Sequence, residues 1–136
     1  MRRAQASITA VEAALGVLLV TSVFLTFGLG VPDGSEQRTQ VQLDRYATDA
    51  TTILTTEPPR HGDQTRVAEV LESAESWKRE RAEFERRVDR ILPDNVMFRV
   101  ETAYGVVGTP IPADVQTGTA QLLTPNGDAT LRVWYA

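Results

Sequence analysis

Cysteine is absent from this 136-residue sequence, and histidine and lysine each occur only once. Without cysteine the chain has no disulfide framework, no thiolate metal site, no catalytic thiol and no cysteine for lipidation. The single histidine, His61, leaves too few ligands for a transition-metal site. It lies in a proline-rich loop, where we expect a surface side chain, and we expect no metal and no cofactor.

Arginine greatly outnumbers lysine, because Lys78 is the only lysine among the 14 basic residues. The arginine excess is typical of a GC-rich genome and equally of life in high salt, and both explanations stay open. The formal net charge of −4 argues against a phosphate-binding surface such as a nucleic-acid-binding protein has, although it is compatible with a local basic patch. We therefore expect no nucleic-acid partner.

Sequence signatures of catalysis are also missing. No serine stands in a nucleophile motif, and no acidic residues have the spacing of a calcium loop. The glycines of 105–108 are too close together for a phosphate-binding loop, and no helical pattern follows them. The sequence therefore predicts a protein that is not an enzyme and has no catalytic residues.

The N-terminal part contains a long apolar run. From Ala13 to Val31 there are 19 residues without a formal charge. As a helix with a rise of 1.5 Å per residue this run would be about 28 Å long, close to the roughly 30 Å of a bilayer's hydrocarbon core. The run predicts a transmembrane helix over 13–31 with membrane lipid as a partner. Its large apolar residues are Leu15, Val17, Leu18, Leu19, Val20, Val23, Phe24, Leu25, Phe27 and Leu29.

The charges on either side of this run predict an orientation. Arg2 and Arg3 precede it, whereas Asp33 and Glu36 follow it. The positive-inside rule then places the N-terminus in the cytoplasm. The expected location is the cell membrane, with a single span and an extracytoplasmic C-terminal domain.

The first residues resemble a known family. A short basic start, Arg2-Arg3-Ala4, followed by Gln5 and a helix start rich in serine and threonine, resembles the class III signal of archaeal type IV prepilins, in particular those of salt-loving archaea. The resemblance covers roughly residues 1–31. It implies that a prepilin peptidase cuts between Ala4 and Gln5. The retained helix would then assemble with other pilin-like subunits or on a membrane assembly platform.

Glu12 departs from the bacterial pattern of this family. Many bacterial type IV pilins carry glutamate at the fifth mature position, which here would be Thr9, while Glu12 falls at the eighth. Glu12 is either an acid at headgroup depth or a partner for a neighbouring subunit in helix assembly. Two other interpretations of the N-terminus remain: an uncut, anchored adaptor with an unknown partner, and a protein secreted after cleavage beyond Gly30.

Residues 33–92 are predicted to form a helical region outside the membrane. Apolar residues at helical spacing predict a helix over 35–56, which ends before Pro58. A second pattern begins with Asp63 as the cap and ends before Pro93, with a break expected near Ser76. Opposite charges four residues apart predict ion pairs on its surface. These pairs are Glu75–Arg79, Arg79–Glu83, Arg81–Glu85 and Glu83–Arg87.

Residues 93–136 are predicted to form an antiparallel β region. Alternation over 96–101 predicts a half-buried strand, and 104–112 is expected to be a loop or an irregular edge. Asn126-Gly127 predicts a two-residue hairpin turn that pairs Leu122 with Leu131. The expected fold is α+β: a leader and helix start (1–12), the transmembrane helix, one or two amphipathic helices, and a pilin-like sheet of about three strands.

Overall fold

The computed structural model describes residues 2–28, 34–60 and 62–136, with side chains described for 9–22, 34–60 and 62–136. His61, predicted to be a surface residue, lies outside these ranges. Within them the helices are α1 (Arg2–Gly28), α2 (Gly34–Thr56), α3 (Arg66–Val70) and α4 (Ala74–Ile91). The strands are β1 (Val96–Thr102), β2 (Gly105–Gly108), β3 (Gly118–Thr124) and β4 (Gly127–Tyr135). The chain divides into two compact units, Met1–Gln37 and Arg38–Ala136.

The first unit contains α1, and here a central prediction is wrong. Among the residues that the structure describes, no helix combines the length and the apolar character needed to cross a membrane. Of the predicted span, residues 13–28 lie in α1, and residues 29–31 lie outside the described residues. The predicted transmembrane helix over 13–31 and the single-pass topology, with its extracytoplasmic domain, are therefore not supported.

The second unit is built on α2. Its buried apolar side chains, Leu43, Ala47, Ala50 and Leu54, follow one another at intervals of four, three and four residues, which places them on one face of a helix. The helix ends at Thr56, ahead of Pro58 and Pro59. The predicted helix over 35–56 is confirmed, and it begins one residue earlier than expected.

The helical pattern from 63 to 92 forms two helices instead of one. Thr65 is the N-cap of α3, where its side chain accepts a hydrogen bond from the N–H of Ala68 at 3.4 Å. Ser73 is the N-cap of α4 and accepts from the N–H of Ser76 at 3.1 Å. Asp63 is not the cap, and the break falls at 71–73. Ser73 accepts a hydrogen bond from a backbone N–H that has no partner within the helix, and so favours a new helix start at this point. This explains the interruption.

The sheet has four antiparallel strands in the order β2-β1-β4-β3, so the prediction of about three strands is wrong. The missed strand is β2, which pairs with β1 from Arg99↔Gly108 to Thr102↔Gly105. Two of its four residues are glycines, so it carries almost no side-chain pattern. Instead, the hydroxyl of Thr102 accepts hydrogen bonds from the N–H groups of Tyr104 and Gly105, each at 3.1 Å, and shapes the turn between the strands.

The β3–β4 hairpin forms, but its register differs by two residues from the predicted one. Thr124 pairs with Gly127 and Leu122 with Ala129, so the two turn residues are Pro125 and Asn126. The predicted turn needs positive φ at both Asn126 and Gly127. Only Gly127 has it, at 142°. Proline in the second position and glycine in the fourth are typical of a type I turn. A shift of two residues keeps every side chain on its predicted face.

One hydrophobic core joins α2, α3 and α4 to one face of the sheet. The inward residues of β4 are Ala129, Leu131 and Val133, and all three are buried, as the alternation predicts. Trp134 points to the opposite face, yet it is also buried. The chain between β2 and β3 runs from one edge of the sheet to the other at the Trp134 end of β4.

Tyr135 gives a prediction about alkaline pH. Burial raises the pKa of its hydroxyl above the ordinary 10.0, and the charge and hydrogen bonding of the neighbouring Tyr46 raise this pKa further. The two rings meet edge to face at 6.5 Å. Because the folded state holds this proton more tightly than the unfolded chain, the contribution to stability is full below pH 10 and is lost as pH rises through the folded pKa.

The free energy of unfolding is therefore expected to fall as the pH rises above 10. Urea denaturation between pH 9 and 11 measures this slope, and Tyr135→Phe should make it shallower. Tyr104→Phe is the control, since Tyr104 is exposed. Equal slopes for Tyr135→Phe and wild type would contradict the prediction.

Candidate functional site

Six of the eleven exposed large hydrophobic residues in the described part of the chain lie on α1. Its apolar residues are between 53% and 69% exposed. A monomeric soluble protein rarely exposes a continuous apolar patch of more than a few hundred Å² unless that patch binds something. We call these residues the α1 apolar surface: Val11, Leu15, Val17, Leu18, Leu19 and Val20.

The α1 apolar surface extends around the whole helix. Successive residues of a helix are rotated by about 100°, so Leu15, Leu18 and Leu19 lie on one side while Val17 and Val20 lie on the other. This helix has no polar face along that stretch. A helix that is apolar on all sides is normally covered on all sides, and one groove on one partner does not suffice.

The few polar groups on α1 do not break this surface. The hydroxyl of Thr21 donates to the carbonyl of Val17 at 2.7 Å, so it is satisfied within the helix. Gly16 faces open space, since a Cβ added there would meet no atom within 4 Å. Glu12 is exposed between Val11 and Leu15, near the N-terminal end of the surface. The arrangement allows close packing of another helix along α1, with a negative charge at one end.

The predicted processing residues lie within α1. Ala4 and Gln5 are part of its helical backbone, and their side chains are outside the description. The cut between them stays a prediction, and so does the role of Glu12 in helix assembly. Both concern the same helix that carries the α1 apolar surface.

The structure contains an ion pair that the sequence did not indicate. Glu57, directly after α2, is buried and forms an ion pair with Arg87 of α4. The two residues are thirty positions apart, and the helical spacing of Arg87 instead predicted a pair with Glu83. The one sequence signal for this pair was the position of Glu57 before Pro58. The helix ends there, and the chain must turn back onto the core.

In the part of the chain that the structure describes, no three histidine, aspartate or glutamate side chains are placed so that they could hold a metal ion. The prediction that the protein is not an enzyme stays a prediction.

No curated protein and no solved structure matches this chain. Nothing in the comparisons supports the prepilin resemblance, and the absence of a spanning helix in the described residues removes the anchored part of it. The sequence pattern of one family matches residues 2–135, nearly the whole chain. The chain therefore belongs to DUF7262, a family of unknown function.

Proposed function

We propose that this protein is a non-enzymatic assembly subunit, which binds other copies of itself by packing α1 against their α1 helices. The observation that supports this most strongly is the α1 apolar surface, which is exposed on all sides of the helix. The proposal keeps the assembly role expected from the sequence and leaves out the membrane span.

The energies favour a bundle over a contact between two helices. Fully burying one valine or leucine side chain contributes roughly 1.5–3 kcal/mol. Burial of six such side chains therefore contributes a free energy of the same order as the roughly 4–15 kcal/mol that association costs. A two-helix contact covers only one side of α1, so the free energy of burial does not offset the cost of association. Assembly is therefore favourable when three or more α1 helices cover one another.

Glu12 limits how the helices align. In a parallel bundle without stagger, the Glu12 carboxylates of neighbouring copies would lie close together and repel one another. A stagger that brings Glu12 next to Arg2 and Arg3 of a neighbouring copy replaces this repulsion with attraction. The same arrangement gives Glu12 the pairing role, one of the two roles that the sequence left open for it.

Leu19→Glu tests the proposal. Sedimentation velocity of the full chain over a range of concentrations is expected to show a discrete oligomer for the wild type. Leu19→Glu should weaken association by at least about tenfold, because it places a carboxylate inside the bundle. Glutamate is a good helix former, so α1 itself should persist, which circular dichroism checks.

Leu123→Glu is the matched control. Leu123 is 67% exposed and Leu19 66% exposed, but Leu123 lies on β3 in the second unit. This variant should assemble like the wild type. A wild-type protein that stays monomeric at all concentrations would overturn the proposal, as would equal effects of the two substitutions.

A further inference from the structure

A hollow of about 200 Å³ lies where the end of α2 meets α3 and α4. Its charged lining consists of three arginines and two glutamates, which leaves one positive charge in excess within a chain whose net charge is −4. We call it the arginine hollow, and its residues are Glu57, Pro58, Arg60, Arg66, Glu83 and Arg87.

Both glutamates of the arginine hollow are already neutralised. Glu57, whose side chain is 10% exposed, accepts hydrogen bonds from the Nε and Nη2 groups of Arg87. Glu83 pairs at 3.5 Å with Arg90, which lies two turns further along α4. Their charges are therefore largely compensated, and they repel an incoming anion only weakly.

Arg60 and Arg66 are left without such partners. Among the described residues, neither guanidinium forms an ion pair with a carboxylate. Their backbones are nevertheless held in place: the N–H of Arg60 donates to Glu69 Oε2 at 3.1 Å, and the N–H of Arg66 donates to the carbonyl of Glu57 at 3.4 Å. The hollow is thus lined by two arginines whose backbones are held in place and whose side chains form no ion pair with a described carboxylate.

A second hollow next to it does not share this excess. It measures about 160 Å³ and is also lined by Arg60 and Arg66, but Arg79 and three glutamates complete its charged lining. Its charges balance, and Arg79 is already paired with Glu80 at 3.4 Å. An anion that engages Arg60 and Arg66 is therefore attracted to the arginine hollow and not to this neighbour.

We propose that the arginine hollow binds a phosphate group, either free or as a monoester of a small molecule. The planar guanidinium of arginine donates two parallel hydrogen bonds to phosphate oxygens, and a phosphate monoester carries about −1.5 to −2 charges at neutral pH. This charge matches the two uncompensated arginines better than a single carboxylate does. The hollow, at about 200 Å³, is large enough to admit a phosphate group.

Calorimetric titration of the full chain tests this site. The probes are inorganic phosphate and glycerol phosphate, at constant ionic strength adjusted with sodium chloride. Saturable binding of one phosphate per chain is expected. Arg60→Gln and Arg66→Gln should each weaken binding by about tenfold or more, because each removes charged hydrogen bonds. Tighter binding of glycerol phosphate would identify a monoester as the source, and equal binding would identify free phosphate.

Arg86→Gln is the matched control. Arg86 is exposed on α4 and lines a different groove, between α4 and β1, so its loss should leave phosphate binding unchanged. Arg66→Lys keeps the charge but loses the planar fork, and it should bind more weakly than the wild type but better than Arg66→Gln. Circular dichroism confirms that each variant is folded.

The absence of saturable wild-type binding would overturn this proposal. Equal weakening by Arg60→Gln, Arg66→Gln and Arg86→Gln would also overturn it, since that pattern reports only the total charge. These arginines lie in the second unit, away from α1 in the sequence, so their variants should assemble like the wild type. Failure of the phosphate site is thereby distinguishable from failure of the assembly proposal.

Discussion

Gly118→Ala is expected to lower the free energy of unfolding of the Arg38–Ala136 unit by about 3 kcal/mol or more. A Cβ on Gly118 would lie 2.2 Å from the carbonyl carbon of Leu43 and 2.6 Å from the backbone nitrogen of Asp44. These atoms belong to the backbone of α2, so no side-chain rotation relieves the clash. Overpacking of this kind typically costs about 1–3 kcal/mol and more where the backbone must move. Urea denaturation measures the change.

The close approach at Gly118 also joins α2 to the edge of the sheet. The carboxylate of Asp44 accepts a hydrogen bond from the N–H of Thr119 at 3.3 Å, and Gln40 donates to the carbonyl of Thr117 at 2.9 Å. A displaced α2 would lose both bonds, which adds to the steric effect. These contacts cover one end of an otherwise open edge strand.

Gly34→Ala is the control for this prediction. A Cβ on Gly34 meets no atom within 4 Å, and Gly34 is the first residue of the same helix. Its substitution should change the free energy of unfolding by less than about 0.5 kcal/mol. If Gly118→Ala had an equally small effect, the tight contact between α2 and β3 would be disproved.

The second large effect is expected for Leu131→Ala, which should destabilise the protein by about 2–5 kcal/mol. Leu131 is 0% exposed and lies on the central strand β4, between Val100 of β1 and Ala120 of β3. Truncation leaves a cavity, because neighbours on both adjacent strands are fixed by backbone pairing and collapse only partly. Urea denaturation and the thermal midpoint both measure the loss.

Leu123→Ala is the matched control, since it removes the same atoms from the outer side of the same hairpin. Leu123 is exposed, and the change should stay within about 0.5 kcal/mol. Similar losses for the two leucines would contradict the assignment of the inner and outer faces of the sheet.

The interactions on α4 show why helical spacing alone misplaces ion pairs. The sequence predicts four pairs along this helix, yet its described ion pairs are Arg79–Glu80, Arg90–Glu83 and Arg87–Glu57. An exposed pair four residues apart contributes only about 0.2–0.5 kcal/mol, so other contacts easily replace it. Arg87 instead pairs with a buried carboxylate, where leaving the charge without a partner would cost more.

The apolar run of α1 was identified from the sequence, but the membrane-spanning role predicted for it was wrong. Length and composition predicted a membrane span, but no helix among the described residues is both long and apolar enough for one. The exposed surface supports assembly, a role that the sequence predicts only through the prepilin resemblance. The hydropathy of a segment shows that it needs covering, and it does not identify what covers it.

The sequence by itself determined the faces of the elements: the buried stripe of α2 and the alternating strands β1 and β4 follow from local periodicity, which is a property of neighbouring residues. The tertiary structure alone decided the turn at Pro125 and Asn126, the pairing of the glycine-rich β2, and the meeting of Arg60, Arg66 and Arg87. These features depend on backbone pairing and on contacts between distant residues. Their energies arise only when separate parts of the chain meet, so no local pattern specifies them.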